Sequence, residues 1–252
     1  MNEKKSGFLI PENQRQNWWS IALVWIGAMI CVSCLMVGGV LGSGLTLGRC
    51  VLAILIGYGI VCFYMCFVGI QGCDTGLPTA VMAGGALGEI GGKYVVSAIL
   101  ALACIGWFGI QAAVCGASFA SMLAAMGGPE LPVWICSVVG GIIMVTTACF
   151  GFKGLKWLNY IAVPLLIIVL IYGMVVAYTS NNGFDAITNY VPVAPISFVA
   201  AISTTVGSFA VGGSLAADYC RFAKNRGDVI KSSVVGVLPS GLLILVIGAA
   251  LS

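Results

Sequence analysis

Charge is missing from this chain in long stretches: no Asp, Glu, Lys or Arg occurs from Gln16 to Gly48, Cys50 to Cys73, Tyr94 to Pro129, Leu131 to Phe152, Trp157 to Phe184, Ala186 to Ala217, or Ser232 to Ser252. Each interval supplies the roughly 20 residues that an α-helix needs to cross a hydrocarbon core about 30 Å thick. Ordinary soluble domains carry about 25% charged residues. This chain has 8%, with 60% hydrophobic residues and a mean hydropathy of +1.10. Lipid is therefore its main solvent. In lipid the backbone must be satisfied within the spanning element, and runs such as Ile161 to Val176 lack the period-two alternation of a barrel strand. The expected fold is an all-α polytopic membrane protein with about seven transmembrane helices.

Orientation follows from the cations. Counting alternate loops, one side holds Lys4, Lys5, Arg15, Lys93, Lys153, Lys156, Arg221, Lys224, Arg226 and Lys231, and the other only Arg49. Positive residues gather on the cytoplasmic side, which predicts a cytoplasmic amino terminus. The net charge of +3 reports this topology and implies no nucleic-acid partner. The leader Met1 to Trp19 is polar, and the first apolar segment is too long and lacks a small-residue cleavage site, so no removable signal peptide is expected. The inner or plasma membrane is the expected location.

The pass along the chain leaves no room for a globular appendage. A glycine-rich loop from Gln71 to Gly92 has the composition of a short re-entrant or interfacial helix, and Asn181-Asn182-Gly183 with Pro192 and Pro195 reads as turn chemistry. Pro164 should kink the fifth span. Trp18, Trp19, Trp25, Trp134 and Trp157 lie near predicted span ends, where indole rings anchor at the headgroups. Of the eleven cysteines, Cys31 and Cys34 have CxxC spacing, but no second pair or histidine completes a metal site. Small apolar packing is the expected role of nearly all of them.

Two spans carry glycine runs, Gly38 to Gly44 in the first and Gly207 to Ser214 in the sixth. Gly38 with Gly42 fits a small-xxx-small packing seam. Alternatively the runs unwind and expose backbone polar groups, and matched interruptions in two repeats point to a transporter site at the membrane midplane. Trp107 and Gln111, one helical turn apart, lie at the centre of an uncharged span. An indole and an amide on one face can stack on a flat polar molecule and hydrogen-bond its edge, or simply tie helices together. No span carries a nucleophile with a base, a paired carboxylate or a metal-ligand cluster, so an enzyme is not expected. A channel would show a filter-like repeat or a ring of charge, and neither is visible.

Five motifs in order, Val37-Gly38-Gly39-Val40-Leu41-Gly42-Ser43-Gly44-Leu45, Asp74-Thr75-Gly76-Leu77, Gly106-Trp107-Phe108-Gly109, Val206-Gly207-Ser208-Phe209 and Ala217-Asp218-Tyr219-Cys220-Arg221-Phe222, resemble the cytosine permease branch of the nucleobase:cation symporters. The resemblance implies a leucine-transporter-like inverted-repeat fold of about twelve spans, with broken first and sixth helices framing a nucleobase site coupled to a cation. It implies a cytoplasmic segment at 1–20, a first five-helix repeat at 21–179 and the start of a second at 196–252. The chain is then expected to be an N-terminal portion that does not transport alone.

Carried over by the resemblance, Trp107 stacks on the ring, and Ser208 and Phe209, beside Gly207 at the sixth-span break, offer backbone polar groups and an aromatic contact. The carbonyls of Gly27 and Ile30 fall at a sodium site, and Cys31 faces the substrate where cytosine permeases often have an aromatic ring. Cys104 replaces a base-reading glutamine, while Gln111 stands where hydantoin transporters place theirs. Val211 replaces a second serine, and Gly84 an arginine. Asp218 and Arg221 are expected to form an ion pair or gate at the end of the sixth span. The chain has no histidine, and all eight acidic residues fall in loops or at span ends, so the lean is to sodium coupling over a buried proton relay. The expected substrate is a nucleobase or related planar heterocycle; the rival is an amino-acid carrier of the same architecture.

Overall fold

The computed structural model of the chain describes residues 10–180, 189–192 and 194–251, with side chains omitted at 152–153, 155–159, 162–163, 177–178 and 180. The expected turn at Asn181 to Gly183, Lys4 and Lys5, and the side chains of Lys153, Lys156 and Trp157 lie outside the described residues. The helices are α1 (Trp18–Met29), α2 (Val32–Gly44), α3 (Leu47–Thr75), α4 (Thr79–Ile90), α5 (Ser97–Ala125), α6 (Val133–Cys149), α7 (Gly151–Ser180), α8 (Phe198–Ser214), α9 (Ala216–Cys220) and α10 (Arg226–Ala250). A bent pair, α1 with α2, forms the first span; α3, α5 and α10 are long apolar helices, and α6, α8 and part of α7 are shorter apolar ones. Seven apolar segments thus answer the seven uncharged intervals.

Local chemistry sets the boundaries. Ser197 caps α8 by accepting the Ala200 N–H at 3.1 Å, and Asn225 caps α10 by accepting the Asp228 N–H at 2.8 Å. Gly76 ends α3 in the left-handed conformation (φ 67°). The stretch from Gln71 to Gly92 is mostly helical: α3 runs on to Thr75, and α4 fills the rest. Gly88 (φ 75°, ψ 165°) then turns the chain back, so that a Cβ on Gly92 would meet the Gly84 nitrogen and the Ala80 carbonyl. The apolar path from Thr79 to Ala125 is therefore a short helix folded against the start of a span, as the glycine content predicts. A π-helical turn, Gly91–Val96, leads into α5.

The core lies among α1, α2, α3, α8 and α10, where Trp25, Tyr58, Met29, Leu41, Ile54, Met65, Ile244 and Leu245 are fully buried. Backbones approach closely because glycine faces backbone. A Cβ on Gly38 would collide with the Leu245 main chain, one on Gly42 with Ala249, and one on Gly248 with the Leu35 carbonyl. The same device joins α3 to α8 at Gly57 against Thr205, and α10 to α1 at Gly236 against Trp25. Helices α5, α6 and α7 form an outer layer: α5 packs on α6, with Gly116 against Ser137, and α7 packs on α6 and α1.

Candidate functional site

The first span breaks at Ile30–Cys31, and its two halves meet at 59°. Ile30 (φ −82°, ψ 81°) and Cys31 (φ −141°, ψ 156°) leave helical geometry. The glycine run at Gly38 to Gly44 does not unwind; it stays inside α2 and serves the packing seam against α10. The reason is steric, since those glycines are where α10 backbone presses against α2. A weaker signal did mark the true break. Ile30-Cys31-Val32-Ser33 holds two β-branched residues, a cysteine and a serine, all poor helix formers.

The break frees backbone acceptors. In a continuous helix the Cys31 N–H would bond to Gly27, but it turns to the Met29 carbonyl at 3.0 Å, while the Ile30 N–H bonds to Ile26 at 2.9 Å. Among the described residues no backbone N–H is directed at the Gly27 or Ile30 carbonyls.

Polar side chains collect on the far side of the break. The Cys31 thiol lies 3.2 Å from both the Ser33 hydroxyl and the Cys34 sulfur. Ser33 donates to Gln111 Oε1 on α5 at 2.5 Å, which ties the outer layer to α2. Gln111 is half-buried, and Trp107, one turn earlier, packs part-buried against the core. Helix α5 touches both α2 and α8. Cys31 and Cys34 pack in or against the core, as expected of nearly all the cysteines, and are also members of a hydrogen-bonded chain.

A second polar contact bridges α3 and α8. Ser208 donates to the Thr205 carbonyl at 2.7 Å, and its oxygen lies 3.1 Å from the Tyr58 hydroxyl. Ser208 and Phe209 do not sit at a break, because α8 is continuous from Phe198 to Ser214 and the sixth span interrupts only at Leu215 (φ −84°, ψ 6°). Phe209 is buried edge-on against Trp25, with ring centroids 6.1 Å apart, and Trp25 also meets Tyr219 at 4.9 Å. Trp25 is therefore no interface anchor: α1 starts at Trp18, which puts Trp25 two turns inside the span, 2% exposed. Trp18 and Trp19 pair edge-on, and Trp19 and Trp134 are exposed near helix starts, as anchors should be.

The structure thus joins Cys31 and Gln111 through Ser33, and sets Ser208 and Phe209 on the α8 face toward α3 and α1. Gly207 is exposed with open space where a Cβ would be, and Cys104 is exposed one turn before Trp107. The sequence did not single out Ser33 or Tyr58, whose signal was a hydroxyl in mid-span; Cys34 stood out only by its CxxC spacing and Trp25 only as an expected interface anchor. An apolar groove of about 470 Å³ between α5 and α6, lined by Phe108, Ala112, Ser137 and Gly141 among others, lies apart from this network.

One end of the molecule is stitched by main-chain contacts. The Asp218 carboxylate accepts the Thr79 N–H at the start of α4 (3.1 Å), and the Thr79 hydroxyl donates to the Ser214 carbonyl (3.1 Å). Arg221 Nε donates to the Asp218 backbone carbonyl at 3.2 Å, so Asp218 and Arg221 do not form the expected ion pair. The salt bridge at this end joins Arg226 to Asp74 at 2.8 Å. The amino-terminal segment docks there as well, with Gln16 N–H on Phe222 (2.6 Å) and Arg15 Nη1 on Ala223 (3.0 Å). Arg49 lies at the opposite end, over the Phe198 ring.

Comparison with known proteins shows the family and the fold. Residues 9–252 match the family described as permeases for cytosine/purines, uracil, thiamine and allantoin. The cytosine permease of Escherichia coli (strain K12) is 31% identical over 241 residues, covering 96% of this chain and 56% of that protein. A hydantoin permease of Microbacterium maritypicum is 27% identical over 168 residues, 66% of this chain and 33% of its own. Among solved structures, Mhp1, a nucleobase-cation-symport-1 family transporter in a closed conformation with bromovinylhydantoin bound, superposes with a TM-score of 0.84 at 21% identity, over 96% of this chain and 57% of that one. The chain spans about half the length of the relatives it matches. It folds as the first repeat and the start of the second of a leucine-transporter-like architecture, and it belongs to the cytosine/purine permease family.

Proposed function

We propose that this chain carries the substrate-binding elements of a secondary active transporter that imports a nucleobase or related planar heterocycle, cytosine-like, by symport with sodium. The observation that carries the reading is the Ser33–Gln111 hydrogen bond, which holds a half-buried amide beside the break in the first span with Trp107 one turn away. Trp107 stacks on the ring and Gln111 hydrogen-bonds its edge; each good polar pairing of this kind contributes about 1 kcal/mol. Cys31, Ser208 and Phe209 border the ring, the exposed Gly207 leaves it room, and Cys104 lines the approach. Family membership and the likeness to cytosine and hydantoin permeases support the substrate class.

The residues present fit a small hard cation in part. Among the described residues the Gly27 and Ile30 carbonyls accept no backbone N–H, which suits them to serve as two of sodium's oxygen ligands. Sodium would supply the downhill gradient; the chain's part is to hold two carbonyls at the break next to the substrate-facing Cys31. The amino terminus is assigned to the cytoplasm of a plasma or inner membrane, on the cation asymmetry.

Radiolabelled uptake tests the reading. Cells expressing this chain, and the longest reading frame containing it, are given cytosine, uracil, hypoxanthine, allantoin and hydantoin with and without a sodium gradient. Sodium-dependent uptake of at least one of them is expected in the longer form. Uptake of none, with the protein shown to reach the membrane, overturns it.

A further inference from the structure

We propose that Cys31 and Cys34 form a vicinal dithiol at the mouth of the candidate site that oxidises reversibly to a disulfide and thereby shuts substrate binding. The regulatory half rests on the proposed function; the chemical half does not.

Three observations carry it. The two sulfurs lie 3.2 Å apart, already in contact, whereas none of the other nine cysteines shows a thiol–thiol hydrogen bond among the described residues. Cys31 is the N-cap of α2 and Cys34 its third residue, so the CxxC spacing places both on one face of the first helical turn. Exposure is also divided usefully, since Cys31 is half-buried and reachable at the break while Cys34 is buried behind it. One sulfur can meet a small oxidant and the other can resolve the product without further movement of the chain.

The step balances with a peroxide as oxidant. The Cys31 sulfur attacks one peroxide oxygen, the O–O bond breaks and a first water leaves, giving a sulfenic acid. The Cys34 sulfur then displaces a second water from Cys31, forming the S–S bond. Two electrons pass from the sulfurs to the two oxygens, and both thiol protons end in the two waters. A small dithiol reverses the reaction by exchange through a mixed disulfide.

The consequence follows from the hydrogen-bond chain. Cys31 contacts Ser33, and Ser33 holds Gln111. A disulfide removes the Cys31 S–H and draws its sulfur about 1 Å toward Cys34, given the S–S bond length of about 2.05 Å. Ser33 then loses the S–H donor to its hydroxyl oxygen and keeps only its own O–H bond to Gln111, so the Gln111 amide is held less firmly in the orientation that meets the substrate.

The experiment uses the full-length protein in membranes, treated with hydrogen peroxide or left reduced, alkylated, digested, and weighed at the peptide containing Cys31 and Cys34. Loss of two alkylation sites and two mass units, restored by dithiothreitol and absent in Cys34→Ala, supports the chemical half. A peptide alkylated at both cysteines after peroxide overturns it, whatever transport does. Nucleobase uptake is measured in parallel. Oxidation should lower wild-type uptake by about tenfold, the scale expected when one buried polar contact is lost, and dithiothreitol should restore it in step with the two alkylation sites. A loss that dithiothreitol does not restore overturns the regulatory half, as does full uptake by protein shown to be oxidised. Absence of uptake even from reduced protein sinks the proposed function and with it the regulatory half, while the mass readout still decides the disulfide.

Discussion

Gln111 shows how much a single residue can depend on its neighbours. From the sequence it was an amide in an uncharged span, equally able to bind substrate or to tie helices together. The structure gives it a helix partner, Ser33, at Oε1, with Trp107 one turn away, packed against the core. Replacing it removes the amide that would meet the ligand and leaves the ligand's polar edge unmatched, at a cost of about 1–3 kcal/mol. Gln111→Ala should therefore weaken substrate binding by roughly ten- to a hundredfold, read as KM in uptake or as Kd by tryptophan fluorescence. A folded Gln111→Ala protein with unchanged affinity retires the assignment. Trp25 teaches the reverse lesson: its placement near a predicted span end suggested a headgroup anchor, but the helix begins seven residues earlier than its ring, at Trp18, and the indole is core. Errors of a turn in helix boundaries change which solvent a side chain meets.

At the scale of elements, the glycine run of the first span marks a contact and not a break. Both functions favour the same residue: a missing Cβ admits close approach and also lowers the cost of leaving the helix. What decides between them is whether another backbone occupies the space, and for Gly38 and Gly42 it is α10. Gly38→Ala must displace the Leu245 main chain and should destabilise the protein by about 1–3 kcal/mol. Gly59→Ala, on α3 where a Cβ meets nothing within 4 Å, should be neutral or slightly stabilising. Thermal unfolding in detergent compares the two; equal midpoints would show that the α2–α10 seam is looser than described. The same seam explains why the first span bends at Ile30–Cys31. Below the bend, α1 is held against α10 by Gly236 packing on Trp25, and above it α2 is held by Gly38 and Gly42. The residues between, poor helix formers, take up the change of direction.

Across the whole molecule, charge and topology agree. Arg15, Arg221 and Arg226 meet at one end with Asp74, Thr79 and the α9–α10 turn, and Arg49 lies at the other. If the clustered end is cytoplasmic, alkaline phosphatase fused after Gly128 should be active in a bacterial host and after Lys224 inactive; the opposite pattern would invert the orientation. The exposed Arg226–Asp74 pair itself contributes little, as surface bridges do, and should not be needed for folding. The sequence by itself determined the solvent, the number of apolar segments, the short helix before the third span and the family, because lipid forbids buried charge over any 20-residue crossing and so writes spans directly into composition. Trp107 and Gln111 were legible too, as polar and aromatic groups in mid-span. Only the tertiary structure decided where the spans break, which glycines are seams, that Ser33, Cys31 and Cys34 share one hydrogen-bond chain with Gln111, and that Tyr58 reaches Ser208 from another helix. Those facts depend on which helix lies against which, and in lipid that choice is made by shape and hydrogen bonds between distant segments, which local pattern does not record.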